Sequence, residues 1–257
     1  MRILMVGDVV GKPGRKAVSV LLPELREKHS IELIVANGEN AAGGIGLTPE
    51  TAHELFQAGV DVITSGNHIW HHKDIIPYIE TEPRVLRPLN MPPGVPGRGY
   101  LVTEQVMVVS LLGRVFVGHY DCPFRAMDHL LEEVNPRPSV ILVDFHGEAT
   151  AEKIALGWYL DGRVSAVLGT HTHVGTVDTR ILPKGTAFVS DVGMVGAINS
   201  VIGDDIDSVI DRFLTSMPHR LSVGKGPPIF NSVLVDVEED GGKAVSISRL
   251  DLELTER

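Results

Sequence analysis

Four apolar runs in this chain end in short polar turns that are rich in Asp, Glu, Asn and His. The runs cover residues 3–6, 33–35, 60–63 and 164–168. The turns that follow them are Val6-Gly7-Asp8, Ala36-Asn37-Gly38-Glu39-Asn40, Ser65-Gly66-Asn67-His68 and Gly169-Thr170-His171-Thr172-His173. In open α/β sheets, ligand-binding groups gather beyond the carboxyl ends of the strands. We therefore expect these side chains to meet along one rim.

The first 70 residues alternate between strand and helix patterns. Strands are expected over 3–6, 31–36 and 60–64, with helices near 15–28 and from a Thr48 cap followed by Pro49. This alternation predicts a parallel sheet with helical crossovers. The later patterns predict strands at 105–112, 139–143 and 186–190, helices at 124–134, 149–160 and 204–216, and a hairpin of 229–237 with 244–254.

The length and composition suit one α/β domain over residues 1–257. A hydrophobic content of 43% is ample for a core. Proline and glycine punctuate residues 77–100, and strand patterns resume on both sides, so this stretch is expected to be a long loop or a small lid.

The net charge and the cysteine count exclude several classes of protein. A net charge of −10 argues against binding to duplex nucleic acid, although it does not say where the local field is positive. The single cysteine, Cys122, excludes an internal disulfide and a cysteine-based zinc cluster. No apolar run approaches the ~18 residues of a membrane span, and we expect a soluble cytoplasmic protein.

Several common catalytic motifs are missing from the chain. A P-loop needs Lys followed by Ser or Thr, whereas Lys12 is followed by Pro13. The serine-hydrolase elbow, the dinucleotide-binding glycine pattern and the His-Glu-x-x-His zinc helix are also absent from the sequence.

Seven residues that follow apolar runs are candidate metal ligands. Taken singly, each is explained at least as well as a helix cap, a turn residue, a structural histidine or a solvated loop side chain. Together they supply the oxygen and nitrogen donors of a two-metal hydrolase. The candidates are Asp8, Glu39, Asn40, Asn67, His146, His171 and His173.

These segments resemble the calcineurin-like metallophosphoesterases, and more specifically their YmdB-like branch of bacterial cyclic-nucleotide phosphodiesterases. The usual first block, Asp-x-His, is replaced here by Asp8-Val9-Val10, and the usual bridging Asp by Glu39; both departures are characteristic of that branch. Further matching segments are Gly66-Asn67-His68-Ile69-Trp70, Arg87-Pro88-Leu89-Asn90, Asp144-Phe145-His146-Gly147-Glu148-Ala149-Thr150 and Ser190-Asp191-Val192-Gly193-Met194-Val195-Gly196.

The resemblance implies a two-sheet α/β sandwich with outer helices, and a small cap to which residues 77–100 contribute. It also implies two metals and assembly into homo-oligomers. The mixed oxygen and nitrogen ligands favour divalent transition metals over Ca²⁺, and iron or manganese is expected before zinc. Glu39 would bridge the metals and His68 would be the proton donor. One metal would take Asp8, Asn40 and His173, and the other Asn67, His146 and His171.

The expected reaction is hydrolysis of a small phosphodiester such as 2′,3′-cAMP. The metals would activate the attacking water, and His68 would protonate the leaving oxygen. Two alternatives stay open. One is a phosphomonoesterase or nucleotidase with the same metals, and the other is a metal-binding regulatory protein that acts on RNA or on a partner.

Overall fold

A computed structural model describes residues 1–254 of the chain. These residues form six helices: α1 (Gly11–His29), α2 (Pro49–Gln57), α3 (Ile75–Thr81), α4 (Pro123–Glu133), α5 (Thr150–Leu160) and α6 (Ile206–Thr215). They also form fifteen strands: β1 (Arg2–Val6), β2 (Asp8–Val9), β3 (Leu33–Asn37), β4 (Val62–Thr64), β5 (Tyr100–Val102), β6 (Val106–Leu112), β7 (Val140–His146), β8 (Ala166–Thr170), β9 (Arg180–Ile181), β10 (Ala187–Val189), β11 (Met194–Ala197), β12 (Pro228–Phe230), β13 (Ser232–Val237), β14 (Ala244–Arg249) and β15 (Leu252–Glu253).

Two larger sheets contain the predicted strands. The first has the order β14-β13-β1-β3-β4, and its strands β1, β3 and β4 run parallel. The second has the order β5-β6-β7-β8-β10-β9, and its strands β6, β7, β8 and β10 run parallel. The parallel strands within each sheet therefore end on the same side, as the strand and helix alternation predicts.

The two larger sheets pack face to face, with helices on their outer sides. On β1, Ile3 and Met5 face the second sheet and join a cluster with Val108 and other residues of that sheet. The alternate residue Leu4 packs instead with α1, α2 and α3. Helices α4 and α5 cover the other face of the second sheet. The predicted two-sheet α/β sandwich with outer helices is confirmed.

A third sheet, with the order β15-β12-β11-β2, is missing from the sequence prediction. Asp8 lies inside β2 of this sheet, so it does not simply end β1 as the pattern suggests. The chain changes sheets at Gly7, where an added Cβ would lie 2.0 Å from the carbonyl oxygen of Gly193. A strand of two residues has no periodicity, and the sequence pattern therefore does not reveal it.

The C-terminal hairpin is confirmed, but each of its predicted strands is divided between two sheets. Strands β13 and β14 pair antiparallel in the first larger sheet. Strands β12 and β15 pair antiparallel in the small sheet. Asn231 lies at the break between β12 and β13, and its Nδ2 donates to Asp251 Oδ1 at 3.1 Å. The end of the chain thus ties the small sheet to a larger one.

The helix starts show where local signals succeed and fail. Helix α2 begins as predicted, because Thr48 Oγ1 accepts a hydrogen bond from the Thr51 backbone at 3.2 Å and Pro49 follows it. Helix α1 begins at Gly11, four residues before the predicted start at Arg15. Its early Pro13 is tolerated because amides in the first turn have no acceptor within the helix.

Residues 77–100 contain the end of α3 and a long loop that is anchored to the sheets. Leu86 is buried in the core between the two larger sheets. Asn90 Nδ2 donates to the carbonyl oxygens of Leu112 and Asp121, both at 2.8 Å. The lid role of this stretch and the single domain over 1–257 stay predictions, and residues 255–257 lie outside the described residues. No helix within residues 1–254 is long and apolar enough to cross a membrane.

Candidate metal centre

The seven predicted ligands lie at or just beyond the carboxyl ends of strands. They are placed as follows: Asp8 in β2, Glu39 and Asn40 after β3, Asn67 after β4, His146 at the end of β7, and His171 and His173 after β8. The two larger sheets and the small sheet therefore all contribute to one rim.

Glu39 lies at the centre of this group. Its Oε1 is 3.0 Å from His146 Nε2 and 3.2 Å from His68 Nδ1. Its Oε2 accepts a hydrogen bond from the His68 backbone at 3.2 Å. Burial alone raises the pKa of Glu39, but the imidazoles of His146 and His68 outweigh burial and hold the pKa well below its usual range. Glu39 is therefore an ionised carboxylate that faces two imidazoles.

Gly66 makes this close approach sterically possible. An added Cβ at Gly66 would lie 2.2 Å from His146 Cδ2 and 2.3 Å from Glu39 Oε2. Any side chain there would push apart the strand ends that carry these groups. The glycine before Asn67 and His68 is therefore required by packing around Glu39.

His146 and His171 form the most tightly gathered part of the site. His146 Nε2 is 2.9 Å from His171 Nδ1, and one ligand atom each from Glu39, His146 and His171 lie within 4.8 Å of one another. Burial lowers the pKa of His146, but the carboxylates of Glu39, Asp8 and Asp144 raise it to about 9. Burial and the charge of His146 lower the pKa of His171 to about 3. His171 is therefore neutral and offers a lone pair.

A chain of hydrogen bonds fixes the orientation of the His146 ring. Thr170 Oγ1 donates to Asp144 Oδ1 at 2.7 Å and lies 2.9 Å from His146 Nδ1. Since the hydroxyl has one proton to donate, His146 Nδ1 must be the donor to Thr170. Thr64 Oγ1 and Asn37 Nδ2 both donate to Asp144 Oδ2. This network directs His146 Nε2 toward the centre of the site, as in metal-binding histidines.

His173 approaches from the side of the small sheet. Its Nδ1 donates to the carbonyl oxygen of Ile202 at 2.6 Å. Its Nε2 lies 3.1 Å from Asn40 Nδ2 and 3.9 Å from Asp8 Oδ1. The φ angles of His171 and His173 are 102° and 64°. Positive φ is uncommon outside glycine and persists where surrounding contacts enforce it, often at functional sites.

Two buried oxygens at the rim have no hydrogen-bond partner within residues 1–254, namely Asp8 Oδ1 and Asn67 Oδ1. Burial is the main cause that raises the pKa of Asp8. Buried polar atoms almost always have partners, so such orphans call for a missing group. Carboxylate, amide and imidazole donors together suit divalent transition metals. The residues at this rim therefore fit a metal centre.

Sequence reasoning misses a buried ion pair that supports this centre. Lys153 Nζ donates to Asp191 Oδ2 at 2.7 Å, and both side chains are 2% exposed. The same Oδ2 accepts hydrogen bonds from the backbone and the hydroxyl of Thr172, at 3.0 and 2.8 Å. Asp191 Oδ1 accepts from the Gly193 amide at 2.8 Å, and the Gly193 carbonyl accepts from the Asp8 amide at 3.0 Å. Asp191 thus supports both the turn around Thr172 and the Asp8 strand.

The sequence contains a signal for only one residue of this buried ion pair. Asp191 lies in a segment that resembles the family motif, and that resemblance is its one signal. Lys153 lies on α5, where a lysine is normally exposed, so nothing in the sequence marks it as buried. Glu148 is also missed as a neighbour of the site, although its Oε2 lies 3.1 Å from His171 Nε2.

A family model described as "YmdB-like protein" matches residues 4–250 of the chain. The chain belongs to the YmdB-like family. The resemblance inferred from the motifs is thereby confirmed.

Relatives of known sequence are similar over nearly their whole length. The "2′,3′-cyclic-nucleotide 2′-phosphodiesterase" of Bacillus subtilis (strain 168) is 47% identical over 254 residues, which cover 97% of this chain and 96% of the relative. The "Putative phosphatase/phosphodiesterase MG246" of Mycoplasma genitalium is 35% identical over 263 residues, which cover 97% of this chain and 92% of the relative.

Solved structures of similar proteins have the same fold. A hypothetical protein from Thermus thermophilus is 46% identical, with a TM-score of 0.93 and coverage of 98% of this chain and 99% of that chain. A structure described as a novel phosphatase, from Mycoplasma pneumoniae, is 32% identical, with a TM-score of 0.93 and coverage of 98% and 93%. The overall fold is therefore shared with these proteins.

Proposed function

We propose that this member of the YmdB-like family is a metal-dependent phosphodiesterase that hydrolyses small phosphodiesters, with 2′,3′-cyclic nucleotides as its substrate class. The observation that carries the proposal is the position of Glu39, whose carboxylate contacts both His146 and His68. The name of the Bacillus subtilis relative supports the choice of substrate.

In this proposal Glu39 would serve as a ligand to both of two divalent metal ions. We call Asn67, His146 and His171 the His146 half-site, and Asp8, Asn40 and His173 the His173 half-site. Each half-site would hold one ion, which we expect to be iron or manganese, with zinc as the further candidate. When bound, such ions lower the pKa of water, orient the phosphate and stabilise the charge of the transition state.

The charge of the donor set favours a diester over a monoester. Asp8 and Glu39 are the only carboxylates among the seven proposed ligands. They leave about two of the four positive charges uncompensated. A hydroxide and a monoanionic diester would balance this excess, whereas a dianionic monoester would exceed it.

His68 is the proposed proton donor. Its Nδ1 lies 3.2 Å from Glu39 Oε1 and 3.3 Å from Asn40 Oδ1. No hydrogen bond to its Nε2 is found within residues 1–254, and the side chain is 37% exposed. Nε2 is therefore the atom available to protonate a departing ribose oxygen, while Nδ1 stays directed at the carboxylate. General acid catalysis of this kind contributes roughly 10²–10⁴-fold.

Steady-state kinetics on four substrates test this function. With Mn²⁺ or Fe²⁺ present, we expect kcat/KM for 2′,3′-cAMP to exceed the values for 3′,5′-cAMP, 3′-AMP and bis-p-nitrophenyl phosphate. The word "phosphatase" in the names of the mycoplasma relatives favours a phosphomonoesterase as the second candidate. A higher kcat/KM for 3′-AMP than for every diester would establish that candidate instead.

A further inference from the structure

A cavity of about 420 Å³ carries a cluster of lysines, on segments of the chain that lead to the His173 half-site. Lys12, Lys16 and Lys225 line it, and Pro13, Val223 and Pro228 give it apolar walls. Lys12 and Lys16 are four residues apart on α1, so they project from the same face of that helix.

The walls of the cavity continue directly into the segments that carry the half-site. Lys12 follows Gly11, whose amide donates to the carbonyl oxygen of Asn40 at 2.9 Å. Gly43, another lining residue, is three residues beyond Asn40.

The segment of the cavity wall that contains Lys225 also leads to the half-site. The amide of Gly224, which precedes Lys225, donates to the Gly203 carbonyl at 2.8 Å. Gly203 follows Ile202, the residue that accepts the hydrogen bond of His173. Each segment that lines the cavity is therefore connected, through a few residues or hydrogen bonds, to Asp8, Asn40 or His173.

The charge of the lysine cluster is opposite in sign to the net charge of the protein. The chain has a net charge of −10, so its net field repels anions. Within residues 1–254, Lys153 is the only lysine in an ion pair, and its partner is Asp191.

Lys12, Lys16 and Lys225 therefore form no ion pair in the part of the chain that the structure describes. Hydrogen bonds from Ser208 lower the pKa of Asp205, and the charge of Lys225 adds to this, so Lys225 has one carboxylate in its neighbourhood. A local basic patch of this kind attracts phosphates even on an acidic protein.

We infer that this cavity binds the backbone phosphates of a short single-stranded RNA whose 3′ end carries the 2′,3′-cyclic phosphate. A free cyclic mononucleotide has a single phosphate, which the metal centre would occupy, and it leaves the lysines without a ligand. An oligonucleotide supplies further phosphates on the 5′ side of the reacting ester. Its riboses and bases can lie on the apolar walls.

This inference rests on the proposed function and extends its substrate class. The reaction itself is unchanged: water adds its oxygen to phosphorus, the bond from phosphorus to O2′ breaks, and a proton goes to O2′. The product is an RNA that ends in a 3′-phosphate and a free 2′-hydroxyl.

The test compares two substrates that share the same reacting end. The metal-loaded enzyme is assayed on 2′,3′-cAMP and on a tetraribonucleotide that ends in adenosine 2′,3′-cyclic phosphate. We expect kcat/KM for the tetranucleotide to be higher by about tenfold at about 50 mM salt, and this advantage to shrink toward about 200 mM because phosphate contacts weaken with salt. Equal values for the two substrates at low salt would overturn the inference.

Charge-matched triple variants locate the effect. K12Q/K16Q/K225Q is expected to remove the advantage of the tetranucleotide while the value for 2′,3′-cAMP changes less than about twofold. The control K28Q/K184Q/K243Q removes the same number of charges away from the cavity. Lys28 is about 24 Å along α1 from Lys12, and Lys184 and Lys243 line a different cavity. The control should keep the advantage. Equal losses in both triple variants, or a parallel loss on both substrates, would contradict the assignment.

A binding measurement separates this inference from the proposed function. Fluorescence anisotropy is used with a labelled tetraribonucleotide that ends in a 3′-phosphate and needs no turnover. If wild type hydrolyses neither cyclic ester, the proposed function fails, but the anisotropy still tests the cavity. Tighter binding to wild type and the control than to K12Q/K16Q/K225Q supports the cavity, and equal binding to all three overturns it.

Discussion

The two halves of the candidate metal centre are held in place by different means. In the His146 half-site, a fully buried imidazole is fixed by side chains at the ends of adjacent central strands, through Thr170 and Asp144. In the His173 half-site, the imidazole donates from Nδ1 to a backbone carbonyl, at Ile202, and among residues 1–254 its Nε2 hydrogen-bonds only with the amide of Asn40, itself a proposed ligand. Ile202 itself has a φ of 49° and lies in a connecting segment.

This difference indicates which contacts make the centre rigid. A buried network of side chains between packed sheets has little freedom to move, because its donors and acceptors satisfy one another. A ring anchored on its outer side by a backbone carbonyl in a connecting segment yields more easily. We therefore expect the His146 half-site to bind its ion more tightly and to lose it last when a chelator is added.

The largest expected effect belongs to Glu39, which the two half-sites would share. Glu39→Gln should weaken Mn²⁺ binding at both half-sites, because it removes the proposed bridge and its negative charge. The loss of activity should exceed the roughly 10–100-fold change that is typical of groups outside the ligand shell. Calorimetric titration with Mn²⁺ measures both sites. Glu148→Gln is the matched control, since it removes a carboxylate beside His171 that we do not propose as a bridge, and it should keep both ions.

His68→Ala is expected to have the next largest effect and to spare both half-sites. Turnover of 2′,3′-cAMP should fall roughly 10²–10⁴-fold if His68 is the general acid. Part of that loss should vanish on bis-p-nitrophenyl phosphate, whose leaving group hardly needs a proton. Metal content should equal that of wild type. Equal losses on both substrates would remove the acid role, and loss of metal would make His68 a ligand.

Thr170→Val tests whether the hydrogen-bond chain stabilises the His146 half-site and leaves the His173 half-site unaffected. It removes the acceptor of His146 Nδ1 and a donor to Asp144, so affinity at the His146 half-site should fall about 10–100-fold. Affinity at the His173 half-site should stay close to that of wild type. The control is Thr186→Val. Thr186 is another buried threonine, lies just before β10, and donates from its hydroxyl to the Val164 carbonyl at 2.7 Å. A change at both half-sites, or in the control, would contradict the account.

Thr172→Val is expected to have the smallest effect and to weaken the support of both half-sites equally. It removes one hydrogen bond to Asp191, which supports the turn between His171 and His173 and also the Asp8 strand. The free energy of unfolding should drop by about 1–2 kcal/mol, near the lower range for a bond to a charged acceptor because Thr172 is half-buried. Thr172→Ser keeps the hydroxyl and should restore the loss. Urea unfolding of the three proteins measures it, and no recovery with serine would point to packing instead.

Most of the rim could be predicted because parallel strands end on the same side of a sheet. Each apolar run marks such an end, so Glu39, Asn67 and His171 follow from local pattern alone. The contact of His68 with Glu39 could not be predicted, because it depends on how two strand ends approach around Gly66. The pairing of residues distant in sequence is a tertiary fact without a local signal.

The small sheet and the buried supports were beyond the reach of sequence pattern for related reasons. Strand β2 has two residues and β11 has four, too few for a period to be visible. Asp144 and Lys153 are charged residues in positions where burial is the exception, so their polarity suggests solvent exposure. Only the ion pair and the hydrogen bonds that satisfy them make their burial possible.

The central claim, that two metal ions share Glu39, is tested most directly by counting metal ions per chain. Protein purified without chelator and then saturated with Mn²⁺ is freed of unbound metal and measured by elemental analysis. The account predicts close to two equivalents per chain. A fully loaded sample that holds one ion or none would contradict it.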